Sequence, residues 1–565
     1  MKIIHQKSKY HRFAFTYDYS AEVVEFCRTL KDAFGWQRFS FETTGKDKYW
    51  AFSDTVLVTS IKERFPDVSV DLIVRNIVKH ELSIEIEEQT QREMVEEIKA
   101  KKDTDFKIEG VKGDPYPFQR IGVEFLSASK GRAILADSPG VGKTFQTLAY
   151  IKHEGFKRSL IVCPASVKFA WASEAKKWTN LTTCIIDSKT KLQDIDSSVN
   201  LWIINYDQLN KHFAQLAKIH FDVIVGDEAH MIKSPTAIRT KRFRLLSREI
   251  DHVILLSGTP LLSRPVELYS LLNIIDPRKW GNYYDYVRTY CGAFQSRFGL
   301  DVSGVSNAKQ LHDQISGYFL RRTKEDVLKE LPPKNRIDVP VELPKDIAAQ
   351  YGLAESSFIA YMKQHSGKQA AEIAKTMQAE KLAQLNALRM INTMGKIPTA
   401  QDIIDSIIES GEKIIVFSSF VEPLKIMSEK YPESSVMITG ATDPNDRGEI
   451  VRKFQEDPNI KIFFGGIKSA GAGITLTAAA NTMFLDLPWN PADLEQSENR
   501  NHRPGIKASS VNIYQLMVPN TIDDDMREII NRKQKIFDAI IDGQAMESER
   551  TTLDMVTDNL LNKYK

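Results

Sequence analysis

Short apolar runs alternate with helical segments in two separate stretches of this 565-residue chain. The first stretch has such runs at 132–136, 159–163, 201–205, 221–226 and 253–256. The second begins after residue 400 and has them at 413–417, 461–464 and 482–485. Strands that alternate with helices form parallel sheets with helices on both faces. The sequence therefore predicts an α/β protein with two parallel-sheet lobes.

A glycine-rich loop follows the first apolar run and precedes an expected helix that begins near Thr144. Such a loop directs backbone N–H groups at an anion, which indicates a site for a nucleoside triphosphate. Lys143 is expected to contact the outer phosphates, and the Thr144 hydroxyl to hold Mg²⁺. Asp137 stands where the general pattern has glycine, so only the second half of that pattern is met. The predicted nucleotide-binding residues of the loop are Asp137, Ser138, Pro139, Gly140, Val141, Gly142, Lys143 and Thr144.

The apolar run at 221–226 ends in the sequence Asp227-Glu228-Ala229-His230. A carboxylate at the end of a buried strand holds the Mg²⁺ of a bound nucleotide, and its neighbour activates the attacking water. We assign Asp227 to the metal and Glu228 to the general base. An acidic turn after a core strand is the structural alternative.

Two arginines, Arg500 and Arg503, lie three residues apart late in the chain. On a helix or a tight turn this spacing lets both guanidinium groups face one side, where they would stabilise charge on a transferring phosphoryl group. A solvated basic helix end is the alternative. Because the loop and the arginines belong to different lobes, ATP bound between them would couple binding and hydrolysis to lobe closing and opening.

Composition is that of an ordinary globular protein, with 42% hydrophobic and 27% charged residues. The chain is too long for one hydrophobic core, which predicts three or four domains. The net charge is only +2, so any affinity for nucleic acid must come from local basic patches. The four cysteines are scattered without a zinc-site spacing. The sequence has no run of eighteen apolar residues and no signal-peptide core, so we expect a soluble intracellular protein without membrane contact.

The predicted domain boundaries follow changes of pattern along the chain. The first 90 residues mix short aromatic runs with one amphipathic helix at 21–30, which indicates a small α+β module. The expected parts are the N-terminal module (1–90), a helix and linker (91–114), the first lobe (115–275), helical insertions with an inter-lobe connector (276–400), the second lobe (401–545) and a C-terminal tail (546–565).

Segments 256–260, 319–327 and 489–503 resemble the Swi/Snf-type branch of superfamily 2 helicase-like ATPases. The resemblance covers about residues 115–540 and implies two RecA-like lobes, ATP and Mg²⁺ as ligands and DNA as partner. The phosphate loop of that branch begins with Asp, so Asp137 fits it. Gln119, within Pro117-Phe118-Gln119-Arg120, would read the adenine edge. Segments 169–171, 263–269 and 288–291 narrow the resemblance to the HepA-related annealing helicases.

The N-terminal module is similar to the HARP domain of those helicases at residues 17–23 and 48–52. This similarity implies a DNA-recognition role, and a structural cap is the alternative. Phe41, Trp50 and Phe52 are predicted as core residues rather than as platforms for base stacking.

The resemblance also implies roles for residues outside the nucleotide site. His230 would couple hydrolysis to the DNA groove through Ser257, Gly258 and Thr259, and a hydrogen-bonded core histidine is the alternative. Because contact with the phosphate backbone reads no bases, little sequence specificity is expected. The residues that would touch this backbone, or else serve as turn and cap residues, are Ser166, Asn205, Tyr206, Ser418 and Ser469.

Three functions are compatible with these features. The first is an ATP-driven translocase on duplex or forked DNA that rewinds or remodels forks. The second is a motor that strips proteins from DNA, and the third is a nucleotide-gated DNA-binding scaffold with negligible turnover. Lys143, Glu228 and Arg503 argue against the scaffold, and the lack of a recognisable chromatin-reading or zinc module favours the first function over the second. A single-strand-binding protein, or another DNA-bound protein, is a candidate partner.

Overall fold

The computed structural model describes residues 1–6, 11–34, 39–44, 47–258, 264–296, 299–365, 371–443, 446–470 and 474–543. The chain divides into two compact units, Met1–Val95 and Glu96–Lys565. None of the described helices is long and apolar enough to span a membrane.

The first unit is a five-stranded sheet with helices. Its strands are β1 (Lys2–His5), β2 (Phe13–Thr16), β3 (Phe39–Thr44), β4 (Asp47–Phe52) and β5 (Ser69–Val70), in the order β3-β4-β2-β1-β5. Its helices are α1 (Ala21–Phe34), α2 (Thr55–Arg64) and α3 (Leu72–Ala100). Trp50 and Phe52 are buried as expected, whereas the prediction for Phe41 is wrong, because this residue lies on the edge strand β3 and is 46% exposed.

Helix α3 runs across residue 90, where the sequence predicted the end of the N-terminal module. The sequence analysis placed a helix and linker at 91–114, after the N-terminal module. The structure shows one helix from Leu72 to Ala100. No glycine or proline interrupts this stretch, so nothing in it ends the helix.

The first lobe of the second unit is built on a seven-stranded parallel sheet. Its strands are β6 (Arg132–Leu135), β7 (Ser159–Cys163), β8 (Thr183–Ile186), β9 (Leu201–Asn205), β10 (Val223–Asp227), β11 (His252–Leu256) and, after the hairpin β12 (Phe294–Ser296) and β13 (Gly299–Asp301), β14 (Phe319–Leu320). The strand order is β14-β6-β11-β10-β7-β9-β8. This order places the ends of β6 and β10, which carry the phosphate loop and Asp227, on either side of β11.

Helices of the first lobe follow most of its strands. They are α4 (Pro117–Ala128), α5 (Lys143–His153), α6 (Lys168–Trp178), α7 (Leu209–Leu216), α8 (Ile238–Ser247), α9 (Val266–Ile275), α10 (Tyr283–Tyr290), α11 (Ala308–Ile315) and α12 (Lys324–Val327).

The second lobe contains a six-stranded parallel sheet. Its strands are β15 (Lys334–Pro340), β16 (Ile414–Ser418), β17 (Ser435–Ile438), β18 (Ile462–Gly466), β19 (Asn481–Phe484) and β20 (Val511–Met517), in the order β15-β20-β19-β16-β18-β17. Its helices are α13 (Lys345–His365), α14 (Ala371–Gly395), α15 (Ile397–Glu409), α16 (Val421–Lys430), α17 (Arg447–Glu456), α18 (Ile467–Ala470), α19 (Pro491–Glu498) and α20 (Ile522–Ile541).

Segment 276–400, expected as helical insertions and a connector, also supplies one strand to each sheet. β14 pairs with β6 of the first lobe, and β15 pairs with β20 of the second. β14 has only two residues, and most side chains of the edge strand β15 are exposed. Neither strand therefore shows the apolar run by which the other strands were predicted.

Candidate active site

The phosphate loop connects β6 to α5 and depends on two glycines with positive φ. Gly140 has φ +94° and Gly142 has φ +91°, a region that residues with a side chain rarely adopt. Lys143 begins α5, and its Nζ donates to the backbone O of Asp137 at 2.6 Å and of Ser138 at 3.4 Å. Burial lowers the pKa of Lys143, although the carboxylates of Asp137, Glu228 and Asp227 favour its charged form.

Asp137 is fully buried beneath this loop. Arg322 holds it in a bidentate ion pair, with Nη2 2.6 Å from Oδ2 and Nε 3.1 Å from Oδ1. Gln146 Nε2 donates to Oδ2 at 3.2 Å. Arg322 was not among the predicted site residues, although it lies within the segment 319–327 that carries the family resemblance.

Gln119 lies beside the phosphate loop. Its Oε1 accepts a hydrogen bond from Tyr116 N at 3.1 Å, in a capping box at the start of α4. A Cβ on Gly142 would lie 2.6 Å from Gln119 Nε2, so any side chain there would displace this amide. The exposed Tyr116 ring stacks on Phe118 with centroids 5.3 Å apart. An amide and an aromatic surface therefore meet at the rim of the loop.

Asp227 ends β10 and is held by two donors. Trp171 Nε1 donates to its Oδ2 at 2.8 Å, and the backbone N of Glu228 donates to its Oδ1 at 2.9 Å. Burial, and then the charge of Glu228, raise the pKa of Asp227. Thr144 is half-buried in the first turn of α5.

A hydroxyl and a carboxylate are hard oxygen ligands of the kind that suits Mg²⁺. The part of the chain that the structure describes has no group of three or more His, Cys, Asp or Glu that could hold a metal by itself. This donor set fits a Mg²⁺ ion that arrives with a nucleotide and keeps phosphate and water ligands.

Glu228 adopts a left-handed backbone conformation, with φ 50° and ψ 55°. Such a conformation is strained for glutamate, and strain of this kind is common at active sites. Gln496 Nε2, from the second lobe, donates to Oε1 at 2.9 Å, and His230 Nδ1 lies 3.3 Å from Oε2. Burial by itself would raise the pKa of Glu228, but the close approach of His230 and the charge of Lys143 outweigh it and lower the pKa. The environment thus favours an ionised carboxylate.

Arg500 and Arg503 follow α19 in the second lobe and face the first. Arg500 Nη1 donates to Ile474 O at 3.1 Å, and Arg503 Nη1 donates to Thr475 Oγ1 at 2.6 Å. Burial and the charge of Arg503 lower the pKa of Arg500, which Glu228 opposes. Arg503 Cγ would lie 3.7 Å from a Cβ on Gly140. The structure therefore brings Lys143, Glu228 and both arginines into one inter-lobe cluster.

Two neighbouring residues of α19 complete this contact and were not predicted as site residues. Gln496 contacts Glu228 as described, and Glu495 Oε1 accepts a hydrogen bond from Ser138 Oγ at 3.2 Å. Gln496 lies in segment 489–503, the same segment that contains Arg500 and Arg503. Its place in this segment was the sequence signal that could have identified it as a site residue.

Two of the predicted coupling residues, Ser257 and Gly258, lie beside the phosphate loop. Ser257 N donates to Leu135 O at 3.1 Å, and a Cβ on Gly258 would lie 3.1 Å from Pro139. His230 approaches Glu228 as described above. Thr259 lies outside the described residues.

The five predicted DNA-contact residues fall into two groups. Ser166 is exposed and Ser469 is half-buried. Asn205, Tyr206 and Ser418 are buried, and their contact with a DNA backbone stays a prediction. Tyr206 OH donates to Asp227 O at 2.8 Å and Ser418 Oγ donates to Asp486 Oδ1 at 2.5 Å, which shows that both hydroxyl groups serve the interior.

The basic segment 239–244 forms most of α8. Lys241 is exposed, whereas Arg242 donates to Asn210 Oδ1 at 3.0 Å and lies 4.4 Å from the ring centroid of Phe213. Only part of this segment is therefore available to a ligand.

Two family models match the chain: an SNF2-related domain at residues 118–393 and a helicase conserved C-terminal domain at residues 395–505. The chain is 30% identical over 479 residues to the DNA annealing helicase and endonuclease ZRANB3 of Bos taurus, which covers 80% of this chain and 44% of that protein. It is 33% identical over 439 residues to the SWI/SNF-related matrix-associated actin-dependent regulator of chromatin subfamily A-like protein 1 homolog of Caenorhabditis elegans, with coverages of 75% and 61%.

A solved structure, the Sulfolobus solfataricus SWI2/SNF2 ATPase core in complex with dsDNA, is 24% identical and covers 80% of this chain and 97% of that one, with a TM-score of 0.39. The chain spans about half the length of the curated relatives it matches, 44% of the bovine protein and 61% of the nematode protein.

Proposed function

Since the chain belongs to the SNF2-related, helicase-like ATPase family, we propose that it is a DNA-dependent ATPase that moves along duplex or forked DNA and reanneals separated strands. The observation that carries this proposal is the contact between the lobes at Glu228. This residue belongs to the first lobe, and it accepts a hydrogen bond from Gln496 of the second. A base held by both lobes makes hydrolysis depend on lobe closure.

ATP would lie with its adenine near Gln119 and its phosphates in the loop that ends at Lys143. Backbone N–H groups of the loop and the Lys143 ammonium bind the phosphate oxygens. Mg²⁺, held by the Thr144 hydroxyl and Asp227, supplies neutralisation of phosphate charge when bound.

Glu228 orients and deprotonates the attacking water, since its ionised form is favoured. Arg500 and Arg503 stabilise the charge on the transferring phosphoryl group. Their anchors, Ile474 O and Thr475 Oγ1, belong to the second lobe. The arginines therefore act only while the lobes are together, so each turnover would open and close the cleft and advance the lobes along a DNA backbone.

The annealing direction is supported by the name of the bovine relative, a DNA annealing helicase and endonuclease.

The test compares ATP hydrolysis without DNA and with single-stranded, duplex and forked DNA, beside assays of bubble closure and strand displacement. We expect duplex and forked DNA to stimulate hydrolysis more than single strands, and a bubble coated with single-strand-binding protein to close. Lys143→Ala serves as the inactive control. Efficient displacement of a long duplex would refute the annealing assignment. Removal of a bound protein without bubble closure would identify the chain as a protein-stripping motor instead.

A further inference from the structure

Lys324 is a buried lysine at the contact between the two lobes. It begins α12, and it is 2% exposed. The residues just before Lys324 lie beside the phosphate loop, where Ser138 N donates to Arg322 O at 3.0 Å. A Cβ on Gly140 would lie 3.3 Å from Lys324 Nζ. A second lysine of the first lobe thus reaches the tip of the phosphate loop.

The ammonium group of Lys324 is bonded to the second lobe. Its Nζ donates to Asn499 Oδ1 at 3.1 Å and to the backbone O of His502. Both acceptors are neutral oxygen atoms. The nearby Lys334, by contrast, has a carboxylate partner in the fully buried Glu498, at 3.3 Å.

The charges around Lys324 disfavour its ionised form. Burial is the main cause of a pKa lowered to about 6, followed by the positive charges of Arg503 and Lys334, with Glu495 acting in the opposite direction. Charged and titratable groups face this position from the segment after α19, from α19 itself, from β15 and from α12. They are Arg500, His502, Arg503, Glu495, Glu498, Lys334 and Glu325.

We propose that Lys324 is a second phosphate-site lysine, which binds the terminal phosphate of the nucleotide and transmits its presence to the second lobe through Asn499 and His502. This inference rests on the proposed function, since it requires a nucleoside triphosphate at the loop. An ammonium has three N–H donors. Two serve the lobe-2 acceptors, and the third serves a phosphate oxygen.

A bound triphosphate supplies the negative charge that the neutral acceptors do not. The charged form of Lys324 is then favoured, and its bonds to Asn499 and the His502 carbonyl strengthen, because hydrogen bonds from a charged donor are stronger than those from a neutral one. Release of the terminal phosphate removes this charge and weakens the same bonds. Lys324 would therefore make lobe contact sensitive to whether ATP or ADP is bound.

The test is calorimetric titration of the full chain with the magnesium complex of a non-hydrolysable ATP analogue or of ADP. Titrations at about pH 8, in two buffers that differ in ionisation enthalpy, give the number of protons taken up on binding. We expect the wild-type chain to take up a fraction of a proton with the ATP analogue and less with ADP. Lys324→Met should abolish this difference and weaken binding of the analogue by roughly tenfold, with little change for ADP.

Lys324→Arg provides the conservative variant, since it keeps the positive charge but has no proton to gain. It should bind the analogue without proton uptake. Lys533→Met is a matched control. Lys533 is also a buried lysine of lowered pKa, and it donates to a backbone oxygen and an asparagine oxygen, those of Trp489 and Asn490. It lies outside the cluster at the phosphate loop, so the proton difference should remain in this variant.

Equal proton uptake by the wild-type chain and Lys324→Met would overturn the role of Lys324 while leaving the proposed function intact. Equal loss of ATP-analogue and ADP affinity in Lys324→Met would overturn it as well, since a general effect on packing would be responsible. A wild-type chain that binds neither nucleotide would refute the proposed function and this role together.

Discussion

Arg322→Met is expected to destabilise the base of the phosphate loop. Asp137 is fully buried, and the substitution would remove the bidentate ion-pair partner of its carboxylate. Breaking a buried ion pair from one side costs about 3–5 kcal/mol. The bond from Gln146 Nε2 to Asp137 remains and offsets about 1 kcal/mol of this loss. The net expected cost is therefore about 2–4 kcal/mol.

The double variant Asp137→Asn/Arg322→Met removes both charges and should cost less than the two single substitutions together. Groups that share one buried network show coupling energies of about 0.5–3 kcal/mol, and the two short bonds of this pair place it in the upper half of that range. Asp137→Asn alone should cost less than Arg322→Met, since the side chain of Arg322 keeps 11% of its surface in water and is bonded to Gln146 Oε1.

Hydrogen exchange of the peptide 132–146, followed by mass spectrometry, measures the local opening free energy. This local measurement suits a chain with several domains better than one global unfolding curve. We also expect the KM for ATP to rise with the loss of protection, because the loop begins at Asp137. Additive costs in the double variant, or unchanged protection and KM in Arg322→Met, would refute this reasoning.

Four further outcomes are expected. Glu228→Gln should bind ATP while losing at least about 10²-fold in turnover, and substantial phosphate release would remove this residue from the role of base. Arg503→Ala should lower kcat by about 10³-fold or more with a small effect on ATP affinity, and wild-type turnover on duplex DNA would contradict its proposed role. DNA affinity should fall steeply with salt concentration and vary little with DNA sequence, which titrations of unrelated duplexes at several salt concentrations measure. An affinity that depends strongly on sequence would show that bases are read. Deletion of residues 1–105, which ends beyond α3, should leave basal hydrolysis but reduce the preference for forked DNA, and unchanged fork rewinding would exclude that role of the N-terminal module.

The sheets could be predicted from sequence wherever strands are buried on both faces. The apolar runs at 159–163 and 201–205 coincide with β7 and β9, because such runs are the local signature of a central parallel strand. β14 and β15 carry no such signature. Their places depend on pairing with β6 and β20, which is set by the tertiary fold.

The long-range contacts of the site could not be predicted from local patterns. Glu228 and Gln496 are separated by 268 residues, and Asp137 and Arg322 by 185. Each partner alone has several plausible roles, and only the fold pairs them. A position in a motif likewise does not reveal that the side chains of Tyr206 and Ser418 are buried in the protein.

Helix α20 belongs to the hydrophobic cores of both lobes. Ile522 and Met526, in its first half, pack in a core of the second lobe, whereas Phe537 and Ile540, in its last turns, pack in the main core of the first. Unfolding either lobe therefore exposes part of the apolar surface on which the other depends. We expect the two lobes to melt in a single cooperative transition, and a chain that ends before α20 to lose the stability of both. Any movement of one lobe against the other must therefore also be accommodated by α20.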